Sequence, residues 1–116
     1  MIEDFSKPNR RKFPRKSFKK TISYLCQGEV EVVESVEIGE GGVSFRSKKV
    51  LNLEQHLIVN FFLPEGDFFS IKTTLKNLAV NQQDNIYGVS FNEVSIALKR
   101  QIRAYVARTS SSVLIL

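Results

Sequence analysis

The sequence is poor in the residues on which most protein chemistry depends. Among 116 residues there is one cysteine, Cys26, one histidine, His56, and no tryptophan. A lone cysteine excludes an internal disulfide, and one cysteine with one histidine cannot supply a Cys/His zinc site. No apolar run approaches the ~18–20 residues that a membrane span needs. Met1 to Arg15 lacks the apolar stretch of a secretory signal. Internal repeats and low-complexity segments are missing too. With 42% hydrophobic and 25% charged residues, the chain reads as a soluble, cytoplasmic single domain with a modest core.

The candidates for catalysis are equally sparse. His56 sits in apolar strand company with no second histidine and no nearby cysteine, so it reads as a satisfied or partly exposed strand residue. Cys26 shares a face with Ile22 and Tyr24 and reads as a small core residue. Asp67 and Asp84 fall in turns, where Asp serves the backbone. Glu29, Glu31, Glu34 and Glu37 crowd one segment, but Glu29 and Glu31 are neighbours on one strand face with no obvious partner cation. No nucleophile–base pair and no metal set emerges, so no enzymatic activity and no cofactor are expected.

What is present is charge, unevenly placed. The net charge is +5, from 17 basic and 12 acidic residues. Lys7 to Lys20 holds eight of the basic residues and none of the acidic ones, which leaves the rest of the chain at −3. A cationic arm on an acidic body attracts phosphate groups or anionic surfaces without making the whole chain sticky.

Residues 1–16, with Pro8 and Pro14 and no hydrophobic period, read as a flexible arm. From residue 17 the pattern turns to period two, the mark of half-buried strands. Ile22, Tyr24 and Cys26 share one face. Val30, Val32, Val36 and Ile38 share another, which turns Glu37 outward if that strand carries no bulge. Val43 and Phe45 alternate with Ser44 and Arg46 after a glycine turn, Gly39-Glu40-Gly41-Gly42. Leu57, Val59, Phe61 and Leu63 are in phase, a long strand runs from about Phe68 to Val80, and Tyr87, Val89 and Phe91 alternate with Gly88 and Ser90. The phase places Phe45, Phe61 and Phe91 in the core rather than on a nucleic-acid stacking surface. The period then becomes helical, with Val94, Leu98, Ile102, Tyr105 and Val106 on one stripe. Asn92 is the expected N-cap, and Ser110 to Ser112 the expected end. The predicted fold is mainly β, a six-stranded antiparallel barrel closed to remove its edges. It spans residues 17–109 with a C-terminal helix, and residues 110–116 form an apolar tail.

One constellation stands out. Arg10-Arg11-Lys12-Phe13-Pro14-Arg15 precedes the first strand, and Glu37-Ile38-Gly39-Glu40-Gly41-Gly42 follows just over twenty residues later. An R-x-x-x-R alone arises readily in a basic tail. Set before a six-stranded pattern, with a glycine turn after the second strand, it resembles the PilZ domain family of bacterial receptors for cyclic di-GMP. Ile86-Tyr87-Gly88-Val89-Ser90-Phe91 also looks like the family's late-strand pattern, and the resemblance runs from about Pro8 to Arg108. It implies a six-stranded barrel with a C-terminal helix, cyclic di-GMP as ligand, and an effector protein in motility, adhesion or secretion as partner. Arg11 and Arg15 match the R-x-x-x-R motif, with Arg10 as the extra arginine often found before it. Glu37, Gly39, Gly41 and Gly42 fall in the family's [D/N]-x-S-x-x-G turn. The second motif departs from that pattern twice: Glu37 stands for Asp or Asn, and Gly39 stands for Ser. Two other readings remain open, an adaptor of the same fold that no longer binds nucleotide, and a nucleic-acid-binding barrel that uses the basic arm.

Overall fold

The computed structural model describes residues 15–80 and 84–115, with residues 109–115 described by their backbone alone. Arg10 and Arg11, and with them the arm before Arg15, lie outside the described residues. The elements are β1 (Arg15–Ser17), β2 (Thr21–Cys26), β3 (Glu29–Gly39), β4 (Gly42–Ser47), β5 (His56–Phe62), β6 (Phe68–Val80), β7 (Asn85–Phe91) and α1 (Ile96–Ile115). Every pairing is antiparallel, and six strands close in the ring β2–β3–β4–β7–β6–β5 and back to β2. The barrel and terminal helix expected from the sequence are therefore the fold observed.

The seventh strand is an addition. β2 covers only Glu29 to Glu34 of β3, which leaves the remainder of that side open. β1 fills it, with Arg15 opposite Gly39 and Ser17 opposite Glu37. Arg15 and Lys16, which the sequence pattern assigns to the arm, thus join the sheet. The link to β2 is secured by Ser35, whose Oγ accepts from the Lys20 N–H at 3.0 Å and donates to the Phe18 carbonyl.

Alternation builds the core as expected on most strands. Ile22, Tyr24, Phe45, Leu57, Val59, Phe61, Tyr87 and Val89 are all buried, and Cys26 is buried among them. β3 departs from its predicted phase. Val30 and Val32 are 62% and 69% exposed, whereas Ile38 is fully buried. The cause is a bulge: the register against β4 shifts between Ser35 and Glu37, so Val36 is an extra residue and the inward parity changes there. Glu37 still faces outward, because it lies on the far side of the bulge next to the inward Ile38.

Helix α1 closes one flank of the barrel by burying Leu98 and Ile102, worth about 1.5–3 kcal/mol per side chain. Tyr105 packs edge-on against Phe18 at 5.8 Å. The N-cap is Ser95 rather than Asn92: Ser95 Oγ accepts the Leu98 N–H at 3.0 Å, while Asn92 Oδ1 is taken by the Thr74 hydroxyl at 2.8 Å. The helix also runs through Ser110 to Ser112, where the sequence predicts its end. Serine lacks the strong breaking effect of Gly or Pro and costs at most about 0.7 kcal/mol per residue relative to Ala. No helix among the described residues is long and apolar enough to cross a membrane.

Candidate functional site

The outer face of the barrel carries two adjacent cross-strand rows that define a site. Chain pairing lines up Arg15, Gly39, Gly42 and Ser90 in one row. The next row holds Ser17, Glu37, Ser44, Gly88 and Asn77. Between Glu37 on β3 and Asn77 on β6 the floor is thus glycine and serine, over three strand spacings or about 14 Å. The floor belongs to a cleft of about 250 Å³. Arg15 and Glu37 form one wall, Lys76 and Asn77 the other, and Gly41 lies at one end.

The walls are positioned by the sheet's two irregularities. The β3 bulge turns Glu37 out of the barrel. On β6 a second register shift, between Leu75 and Asn77, does the same for Asn77, which pairs with Gly88 instead of following Leu75 into the core. Bulges serve to re-aim side chains in this way. The Arg15 guanidinium lies 4.0 Å from the Glu37 carboxylate, both side chains being 41% exposed. Such a loose, solvated pair contributes at most about 1 kcal/mol. The Glu37 N–H donates to Ser44 Oγ at 3.1 Å, which ties the acidic wall to the floor.

Helix α1 is tied to both segments of the site. Arg103 Nε donates to Glu40 Oε2 at 2.7 Å, in the glycine turn, and the Tyr105 hydroxyl donates to the Ser17 carbonyl at 2.8 Å, two residues beyond Arg15. The Glu40 carboxylate is nearly buried, and it holds the Arg103 guanidinium above its ordinary pKa by this hydrogen bond and by charge attraction.

Of the residues singled out in the sequence, Arg15, Glu37, Gly39, Gly41 and Gly42 come together at this cleft, while Arg10 and Arg11 lie outside the described residues. Gly42 has a second reason to be glycine. A Cβ there would stand 2.0 Å from the Val89 carbonyl oxygen, so close approach of β4 to β7 requires its absence. The other glutamates do not converge. Glu29 and Glu31 do have a partner: the Lys49 ammonium bonds Glu29 and lies 3.6 Å from Glu31. That hydrogen bond and charge hold the Glu29 carboxyl below its ordinary range and raise Lys49. His56 is exposed, its Nδ1 3.3 Å from the Thr74 hydroxyl. No group of three or more metal-ligating side chains occurs among the described residues.

The sequence reading missed Lys76, Asn77, Ser44 and Ser90. The available signal was the alternation Tyr87-Gly88-Val89-Ser90, which puts large residues inward and the smallest outward on consecutive positions.

Comparison with known proteins gives the family and the fold. The PilZ domain profile matches residues 9–108, and the chain belongs to the PilZ domain family. No curated protein sequence matches it. Among solved structures, the Bacillus subtilis inhibitor of motility MotI/DgrA superposes with a TM-score of 0.78 at 13% identity, over 88% of this chain and 52% of that one. The Escherichia coli protein YcgR in complex with c-di-GMP gives 0.71 at 15% identity, over 90% of this chain and 47% of that one. The PilZ domain of YcgR with c-di-GMP gives 0.69 at 14% identity, over 90% of this chain and 94% of that one. The chain therefore spans about half the length of the first two proteins and nearly all of the isolated domain.

Proposed function

We propose that the chain is a non-catalytic, cytoplasmic receptor for cyclic di-GMP that signals to an effector protein. The observation that carries this reading is the convergence of Arg15, Glu37 and the glycine turn on one cleft with a floor of glycine and serine. An arginine fork donates two parallel hydrogen bonds to guanine O6 and N7 or to phosphate oxygens. The Glu37 carboxylate accepts from the guanine N1–H and N2–H₂ edge. A floor without bulky side chains lets a flat base lie against the strands. Arg11 clamps guanine and phosphate together with Arg15, Arg10 reinforces them as the arm folds over the bound ligand, and the repositioned arm is the surface an effector reads. Membership of the PilZ family and the bound c-di-GMP in the YcgR structures support the choice of ligand.

Isothermal titration calorimetry tests the reading. Wild-type protein should release or absorb heat with cyclic di-GMP, and joint Arg11→Ala and Arg15→Ala substitution should abolish it. Lysine at both positions should not restore it, since it lacks the planar fork. A folded sample that gives no heat at high micromolar ligand overturns the proposal. The adaptor reading rests on Glu37 and Gly39, which depart from the family motif. It gains if binding appears only after Glu37→Asp with Gly39→Ser. The nucleic-acid reading predicts affinity that falls steeply with salt and tolerates lysine for arginine.

A further inference from the structure

We propose that Lys76 is a second cationic anchor of the cleft, taking a phosphate of the ligand, and that Glu54 competes with that phosphate for it. This rests on the cyclic di-GMP reading and extends it to the wall that neither sequence motif reaches.

The β6 bulge supplies the position. Leu75 faces Val89 in the core and Asn77 faces Gly88 outside, so Lys76 is the extra residue between them. Both Lys76 and Asn77 thereby stand on the cleft wall opposite Arg15 and Glu37. Charge supplies the motive. Among the described residues lining the cleft, the charged ones are Arg15, Glu37 and Lys76. Arg15 and Glu37 offset one another, and Lys76 makes the lining positive. A ligand with two phosphates carries two negative charges, and Lys76 adds a cation on the wall that the arginine motif does not include. Lys76 stands across the floor, where a second phosphate of a ligand clamped by Arg15 can meet it.

Lys76 is presently engaged elsewhere. Its ammonium donates to both oxygens of Glu54, at 3.0 and 3.1 Å. Glu54 is held against β6 by its backbone, which takes a φ of 70°. Its N–H donates to the Leu75 carbonyl at 2.8 Å, and the Leu75 N–H donates to the Gln55 carbonyl at 2.9 Å. The carboxylate therefore stays beside Lys76. The pair is well solvated, with side chains 47% and 69% exposed, so little free energy opposes its exchange for a phosphate.

The test is calorimetric titration of the full chain with cyclic di-GMP at low and high salt, with melting curves confirming that each variant is folded. Lys76→Gln should weaken binding about two- to fivefold, as expected for one partly exposed charge contact. That deficit should shrink in high salt, where screening shortens to a few ångströms. Lys76→Arg should retain affinity, which separates loss of charge from damage to the strand. Glu54→Gln should tighten binding two- to threefold (about 0.5 kcal/mol). If wild type binds, Arg15→Ala does not, and Lys76→Gln binds as wild type, this inference fails and the receptor reading stands. If Glu54→Gln weakens binding, Glu54 supports the cleft and competition is excluded. No binding by wild type overturns the receptor reading and the anchor with it.

Discussion

Substituting Gly42 with Ala separates the structural demand at the glycine turn from any demand the ligand makes. The added Cβ would begin 2.0 Å from the Val89 carbonyl oxygen and 3.0 Å from its carbonyl carbon. A tolerable carbon–oxygen contact is about 3.3 Å, so β4 and β7 must part by roughly 1 Å or more. Both atoms of the obstacle are backbone, so no rotamer change relieves it. Parting the strands weakens the Gly42–Ser90 pairing and the adjacent bond from the Phe91 N–H to the Gly41 carbonyl, 2.9 Å long. Two backbone bonds at about 1 kcal/mol each, with about 1–3 kcal/mol of packing strain, give a cost near 3–5 kcal/mol. Against a total stability of about 5–15 kcal/mol, this should lower the melting temperature by roughly 10–20 °C. Circular dichroism melts without ligand measure it. Gly28→Ala is the control, because Gly28 has a φ of 81° and open space around it. It should cost only the left-handed backbone penalty of about 1–2 kcal/mol. A Gly42→Ala protein that melts within a few degrees of wild type, or no lower than the Gly28 variant, refutes the reasoning.

Two further predictions concern titrating groups. Burial raises the Tyr24 hydroxyl above its ordinary 10.0, partly offset by its bond to Ser47 at 3.1 Å. The unfolded chain then loses this proton first as pH rises. The stability that the neutral phenol contributes is full below pH 10.0 and is lost as pH climbs through the raised value. Tyr24→Phe should cost about 1 kcal/mol at pH 7 and flatten the alkaline limb of the pH–stability curve, measured by urea unfolding. Glu29 has the opposite sign. Its carboxyl is lowered by Lys49, so the attraction holds above the ordinary 4.5 and is lost as acid protonates the group. In Lys49→Met the Glu29 midpoint, followed by carboxyl NMR shifts, should rise toward the ordinary value, and an unchanged midpoint would dismiss the pair.

Legibility in the sequence followed the range of the interactions. Strands β5 and β7 declare themselves because their core residues alternate without interruption, from Leu57 to Leu63 and from Tyr87 to Phe91. The first half of β3 deceives because Val30, Val32 and Val33 are all β-branched, so composition does not reveal which face is inside. The bulge that decides it depends on pairing with β4, which no local pattern encodes. The Arg15 and Glu37 wall was accessible through motifs contiguous in the chain. The Lys76 and Asn77 wall was not, because those residues meet the glycine turn only through the register of β6 on β7 and of β7 on β4. Helix α1 shows the same limit. Its buried stripe is readable, but Asn92 was unavailable as a cap because Thr74, distant in sequence, had claimed its side chain.

On β4 and β7 the core and the cleft are interleaved residue by residue: Val43 and Phe45 alternate with Gly42 and Ser44, and Tyr87 and Val89 with Gly88 and Ser90. The two strands work like a text read in two frames. Gly42 apart, where a side chain would drive β4 from β7, point changes in one frame leave the other's letters untouched, so recognition can drift while the interior stays put. Deleting a single residue from either strand swaps the frames, pushing aromatics into water and hydroxyls into the interior, and costs the molecule its fold and its binding surface in one event.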